Sequence, residues 1–274
     1  MKHNWLHAVQ LLEQAVEQNP ADPRPLVALG DFYQRRQLLE KAIKCFQSAL
    51  KLSPNDNHLK LVIGNTYFAE AEYQLAIVYY DQIEDPHPDV RYNKALALAY
   101  LGKHRESIAI MRELLDLIDT NPFIYFLLIE QLLRVEDYAS AREYIAKAES
   151  KIGSHRHLTL LKALTYAHFQ NWLFAYNAFY SCESSGDIVL SDHVLIYAEC
   201  AVKSGMGNRA VPILEKGLER NPYSMGLYEE LIRLLIQQKK IPQAKAYMKK
   251  AKRFFPLLSP LLNLLQARLA NPKD

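Results

Sequence analysis

The sequence predicts an all-α fold, a solenoid of stacked antiparallel helix pairs. Three observations predict it. Small residues recur at Ala8, Ala42, Ala76, Ser107, Ala141, Ala175, Ala210 and Ala244, with spacings of 34, 34, 31, 34, 34, 35 and 34 residues. Four residues after each stands a large apolar side chain (Leu12, Phe46, Tyr80, Met111, Ile145, Phe179, Leu214, Met248), and seven after it another apolar or small one (Ala15, Ala49, Ile83, Leu114, Ala148, Cys182, Gly217, Ala251). Offsets of 0, 4 and 7 share one helix face. The links between helices, such as Arg35–Leu39 and Leu101–Arg105, are long enough only for antiparallel neighbours.

Each phased segment is the second helix of a pair, and Pro20, Pro54, Pro222 and Pro256 stop four of them. Upstream of each lies a first helix. Pro23–Pro54 holds the best copy, with Leu26, Leu29, Gly30 and Tyr33 as its apolar stripe; Ile63, Gly64 and Tyr67 repeat it. Small residues at Gly30, Gly64, Ala95, Ala163 and Ala198 let two helices approach closely, whereas Ile129 and Ile232 stand at that position in two units. Full units span 23–56, 57–87, 88–121, 122–155, 156–190, 191–224 and 225–258 in a single array over 1–274. A lone second helix at 5–18 precedes them and a capping helix at 259–270 follows. The unit at 57–87 is three residues short, with Asp85–Pro88 in place of a full helix end. The unit at 156–190 is one residue long, around Ser184–Asp187.

This period and pattern resemble the tetratricopeptide repeat family over essentially the whole chain. The resemblance implies a right-handed superhelix whose first helices line a concave groove. It also implies function by protein–protein interaction, as a non-catalytic scaffold or adaptor that binds a partner segment in that groove. Groove positions follow by analogy with the family: Asn65, Tyr92, Asn93, Leu96, Phe123, Phe126, Glu130, Leu160, Leu164 and His168. The stretch from Tyr92 to Leu164 is rich in apolar groove positions, which points to an apolar or amphipathic polypeptide, helical or extended. The alternative for those side chains is packing between neighbouring units.

Some members of the family grip a C-terminal carboxylate with two Asn and three basic residues. Asn65 and Asn93 stand where the two Asn belong, but Leu61, Phe123 and Leu127 occupy the basic positions. A desolvated carboxylate needs paired charge, so this clamp is argued against.

Composition agrees with a folded chain: 50% of residues are hydrophobic and 23% charged. A formal charge of +3 names no partner. The groove positions carry no regular residue code of the kind with which helical arrays read RNA, and no basic stripe runs along them. Cys45, Cys182 and Cys200 lie far apart and form no CxxC, which fits a reduced compartment. No run of eighteen apolar residues exists, and the first residues do not read as a secretory signal. The expected location is the cytoplasm, or the periplasm if a signal has been removed.

No cofactor, metal or small-molecule substrate is expected, and none of GxGxxG, GxxxxGK, HExxH or GxSxG occurs. His155/His157 and Asp192/His193 lack a third ligand at metal spacing and read as surface helix starts. Gly205–Asn208 reads as a turn, with Asn208 capping the next helix and Pro212 in its tolerant first turn. The basic run Lys239–Phe255 lies on a second helix and faces outward. It is a solvated face with cations near a helix C-terminus, or a contact for acidic protein, RNA or a membrane surface. Leucines crowd the last helix, from Leu257 and Leu258 through Leu261, Leu262, Leu264 and Leu265 to Leu269, and open an end-to-end homodimer. A second functional reading makes the chain the regulatory or targeting module of a larger enzyme or secretion or assembly complex.

Overall fold

The computed structural model describes residues 4–183, 190–255, Leu257 and 259–270. These form helices and no strand. One compact unit ends at Asp137 and a second begins at Tyr138. The first contains α1 (Asn4–Gln18), α2 (Pro23–Arg35), α3 (Leu39–Leu52), α4 (Asn57–Ala69), α5 (Tyr73–Tyr80), α6 (Pro88–Tyr100), α7 (His104–Leu117) and α8 (Pro122–Arg134). The second contains α9 (Tyr138–Ile152), α10 (Arg156–His168), α11 (Trp172–Glu183), α12 (Ser191–Lys203), α13 (Gly207–Arg220), α14 (Met225–Gln237), α15 (Ile241–Phe254) and α16 (Pro260–Ala270).

In the first unit α2 packs on α3, α4 on α5 and α6 on α7, and α4, α6 and α8 also touch in succession. In the second α10 packs on α11, α12 on α13 and α14 on α15, with α10, α12, α14 and α16 in succession. First helices therefore pack against one another within each unit.

The two kinds of helix start differently. Several first helices carry a side-chain cap: Asp22, Asp56, His87, Asn121 and His155 each accept a backbone N–H from the first turn. Proline adds its fixed φ at the start of α2, α6 and α8. The second helices α3, α5, α7, α13 and α15 have no side-chain cap. Each pair turns instead through a left-handed residue five positions before its small residue: Gln37, Ala71, Gly102, Glu136, Gln170, Gly205 and Lys239. The following N–H then closes back on the preceding helix, as Leu38 does on the Tyr33 carbonyl at 3.0 Å and Glu72 on that of Tyr67 at 2.9 Å. This is the C-terminal hydrogen-bond pattern of a Schellman turn. Five of these seven residues are not glycine and bear the cost of a Cβ in that region.

Burial follows the phased face. From Ala42, Phe46 and Ala49 to Ala244, Met248 and Ala251, the residues at offsets 0, 4 and 7 are buried in all seven pairs. On α1, Ala8, Leu12 and Ala15 are only half-buried. The small residue of a first helix sits against the large residue of the second. A Cβ on Gly30 would land within the ring of Phe46, and one on Gly64 would lie 2.6 Å from the ring of Tyr80. Ile129 and Ile232, the larger residues at the equivalent position, are fully buried.

The short unit is a short helix: α5 has eight residues. The buried Lys60 donates from Nζ to the Gln82 carbonyl at 2.9 Å and to Asn57 Oδ1 at 3.3 Å, so a lysine satisfies backbone just past the end of α5. Asp85 takes φ 47°, after which His87 and Pro88 start α6. The extra residue expected around Ser184–Asp187 lies outside the described residues.

Two local expectations are corrected at α13. Its N-cap is Met206, with no side-chain hydrogen bond, because Gly205 at φ 83° turns the chain two residues earlier than expected. Asn208 is thus inside the helix. Pro212 is its sixth residue, past the free N–H groups of the first turn, and removes a hydrogen bond to the Asn208 carbonyl. At the other end α16 turns Leu262, Leu265 and Leu269 inward and leaves Leu261 and Leu264 exposed.

Two substitutions test this packing. Ala71→Gly should raise stability by about 1 kcal/mol by relieving a left-handed alanine. Gly64→Ala should lower it by about 1–3 kcal/mol because the Tyr80 ring cannot yield. Urea unfolding with unchanged slope measures both; equal midpoints for all three proteins would contradict the turn and contact energetics.

Candidate functional site

Within the first unit, α6 and α8 leave an open cleft of about 420 Å³. Leu96, Ala99 and Tyr100 of α6 face Leu127, Glu130, Gln131 and Arg134 of α8. Helical spacing of three and four residues puts these side chains in one row on each helix. His104 Nδ1 and Gln131 Oε1 lie 2.7 Å apart at the cleft and tie the start of α7 to α8. Burial pushes the Tyr92 hydroxyl pKa above its ordinary value, and the negative charge of Glu130 and the nearby Tyr100 add to this. Tyr100 is 61% exposed. It stacks on Tyr73 at 4.8 Å and meets Phe68 edge-on at 5.7 Å, which makes an aromatic rim continuous with the cleft.

The asparagines are engaged internally. Asn65 Oδ1 accepts from Asn93 Nδ2 at 3.1 Å and from the Tyr80 hydroxyl at 2.8 Å. Gln34 donates to Thr66 Oγ1 at 3.2 Å one layer earlier. These bonds join α2 to α4 and α4 to α6. Arg91 is paired with Glu113, and Lys94 with Asp81 at 2.5 Å, so neighbouring cations are committed as well. A carboxylate clamp gains no free cation from these two residues.

Of the remaining positions expected from the sequence, Phe123 is 62% exposed and meets the buried Phe126 edge-on at 6.3 Å. In the second unit Leu160 is buried in the core and Leu164 is packed against it. His168 is exposed and stacks on Tyr138, with ring centroids 3.3 Å apart. Phe126 and Leu160 thus sit among packing side chains, while Tyr92, Leu96, Phe123, Glu130 and His168 reach solvent to differing degrees. Sequence reasoning did not find the His104–Gln131 contact, because it joins a second helix to the next first helix across 27 residues with no motif to mark it.

A second cleft, of about 560 Å³, lies between α12 and α14 and is lined by Leu195, Ile196, Glu199, Val202, Lys203, Glu230, Arg233 and Gln237. Arg233 Nε donates to Glu230 at 2.8 Å, and this bond holds the guanidinium pKa above its ordinary value. Leu195, Ile196 and Val202 give this cleft apolar surface, and Glu199, Lys203, Glu230 and Arg233 give it charge.

Both clefts offer apolar contact framed by charged and amide groups, an arrangement suited to binding. His155 caps α10 by accepting the His157 N–H at 3.2 Å, which accounts for the HxH as a helix start. Among the described residues, no three His, Cys, Asp or Glu side chains cluster as metal ligands. No described helix is long and apolar enough to cross a membrane. Burial pushes the Cys200 thiol pKa up to about 12, and Glu199 adds to the shift.

Comparison with known proteins places these helices. Two family models, each described as tetratricopeptide repeat, match residues 3–65 and 88–121. The TPR repeat-containing protein YpiA of Bacillus subtilis is 24% identical over 241 residues, covering 83% of this chain and 54% of that protein. The chain spans between about a tenth and about half of the length of the curated relatives it matches. Among solved structures, a tetratricopeptide repeat protein from Parabacteroides merdae superposes with a TM-score of 0.67 at 15% identity, covering 91% of this chain and 99% of that one. YrrB, a TPR protein with an unusual peptide-binding site, superposes at 0.51 and 16% identity over 73% of this chain and 96% of its own.

Alkaline titration checks the buried groups. Burial raises the Tyr80 and Tyr197 hydroxyl pKa values above the unfolded value of about 10. The unfolded chain therefore loses these protons first. Their stabilisation is complete below about pH 10 and is lost as pH rises beyond it. Melting temperature should be flat from pH 7 to 9 and fall above pH 10. Tyr80→Phe should lower stability by about 1 kcal/mol at pH 7 and blunt the alkaline fall. A parallel fall in both proteins would remove Tyr80 as a cause.

Proposed function

Since the chain belongs to the tetratricopeptide repeat family, we propose that it is a non-catalytic adaptor that holds a partner polypeptide along its first helices. The repeat bounds read from the sequence, 23–56 through 225–258, are part of this proposal. The observation that carries it is the α6–α8 cleft, where Leu96 and the exposed Tyr100 stand beside Glu130 and Arg134. An amphipathic segment would place apolar side chains on Leu96, Tyr100 and Phe123 and polar groups toward Glu130 and Arg134. Family members generally act as scaffolds, and the peptide-binding site of YrrB supports a polypeptide ligand. A second reading, a regulatory or targeting module working within a larger assembly, is favoured by the greater length of the curated relatives.

A photoreactive amino acid at Tyr100, compared with one at the exposed Lys44 of α3, tests the seat. Cross-linked peptides from native cells should come from position 100 and be sparse from position 44. Tyr100→Asp combined with Phe123→Asp should weaken binding of the recovered peptide at least tenfold, about 1.4 kcal/mol, with the melting temperature held. Equal cross-linking from both positions, or unchanged binding by the double variant, would reject the site.

A further inference from the structure

The end of the second unit carries a charge imbalance that the proposed groove does not use. Residues 138–230 hold nine Lys and Arg against ten Asp and Glu, whereas residues 231–274 hold ten against one. No acidic residue occurs between Glu230 and Asp274. The excess is concentrated on α15 and the turn before it: Lys239, Lys240, Lys245, Lys249, Lys250, Lys252 and Arg253 are all exposed. Helix α15 turns Ala244, Met248 and Ala251 inward, and Tyr247 is held by its hydroxyl donating to Glu215 of α13 at 2.9 Å. Apart from the half-buried Ile241 at its start and Phe254 at its end, the remaining circumference is lysine, arginine and small or polar residues. Lys250 lies over the Tyr247 ring at 4.8 Å, and none of these seven cations forms an ion pair with a carboxylate among the described residues.

Apolar groups stand beside them. Leu257 is 89% exposed and Tyr223 is 74% exposed, the two highest values for a large apolar side chain among the described residues. Tyr223 meets the partly exposed Phe254 edge-on at 5.1 Å. Phe254 directly follows Arg253, and Leu257 follows three residues later. The last turn of α15, Tyr223 and Leu257 thus join uncovered aliphatic and aromatic side chains to positive charge without a carboxylate partner among the described residues.

From this juxtaposition we propose that the α15 edge docks on an anionic lipid bilayer, with Lys249, Lys250, Lys252 and Arg253 meeting headgroups and Tyr223, Phe254 and Leu257 entering the interface. Charge complementarity alone would serve any polyanion. Leu257 separates the cases. An aliphatic side chain projecting beyond a basic edge neither stacks on a base nor pairs with a carboxylate, but it partitions into the boundary between headgroup and acyl chain. Basic clusters of this size are drawn to acidic leaflets, and the attraction weakens with salt. The attachment is peripheral and reversible, and it uses no residue of the α6–α8 cleft.

Vesicle co-sedimentation tests the proposal on the full chain. Vesicles of phosphatidylcholine and phosphatidylglycerol at 7:3 are compared with pure phosphatidylcholine in 50, 150 and 500 mM salt. The protein should bind the mixed vesicles at least tenfold more tightly than the neutral ones and be released at 500 mM. Changing Lys249, Lys250, Lys252 and Arg253 together to Gln should weaken binding at least tenfold. Leu257→Ser with Tyr223→Ser should weaken it at least threefold at constant salt. Circular dichroism should be unchanged for both variants, whose altered side chains are exposed. Failure to bind mixed vesicles at 50 mM salt overturns the proposal. So does binding indifferent to the Leu257/Tyr223 change, or tighter binding to single-stranded RNA or polyglutamate than to vesicles. A concentration-dependent dimer in sedimentation velocity that Leu257→Ser abolishes would assign the edge to a second copy of the chain and equally overturn it.

Discussion

The helix pairs α2–α3 and α4–α5 each depend on one close approach, where a glycine of the first helix packs against a large ring of the second. Gly30 over Phe46 and Gly64 over Tyr80 are the tightest cases, with no room for a Cβ. The contact sets how near two axes come and how deeply the phased face is buried. One pair cannot cover that face alone, so the next pair must complete it, and the 34-residue period is the result. Half-burial of Ala8, Leu12 and Ala15 on α1 shows the converse: without a paired first helix among the described residues, the same pattern remains partly open.

The turns follow from that geometry. A first helix must reverse within a few residues to lie against its partner, and the chain does so through one left-handed residue at a constant phase. Because the bonds that close the turn are backbone bonds, no particular side chain is required there, and Gln37, Ala71, Glu136, Gln170 and Lys239 stand, at the cost of a left-handed Cβ, where glycine would cost least. At the shortened α5 the same economy uses a side chain, with buried Lys60 serving the Gln82 carbonyl. The core is therefore constrained by volume and the turns by backbone direction, which leaves the outward residues of the first helices available for recognition.

Recognition surfaces differ in character within the chain. In the first unit Tyr100, Tyr73 and Phe68 form an aromatic rim beside a cleft lined by Leu96 and Leu127 together with Glu130, Gln131 and Arg134, while in the second the α12–α14 cleft combines Leu195, Ile196 and Val202 with Glu199, Lys203, Glu230 and Arg233. The α15 edge combines cations with exposed aliphatic side chains and shares residues with neither cleft.

The amino-acid sequence by itself determined the helices, their pairing and the inward face, because offsets of 0, 4 and 7 and the placement of proline are local consequences of helix geometry. It also located the close approaches at Gly30 and Gly64. It could not distinguish Phe123 from Phe126: both lie on one first helix, and only the packing around α8 decides that one is exposed and the other buried. Asn65 and Asn93 were legible as a pair of groove amides, but their engagement with each other and with Tyr80 required the three helices to be in place. The start of α13 at Gly207 was likewise decided by the backbone direction at Gly205, which stands at the same phase as the left-handed residues of the other turns. Periodicity records which side of a helix is apolar. Which side chains are left to meet a ligand depends on the distance to the neighbouring helix, and tertiary structure alone sets that distance.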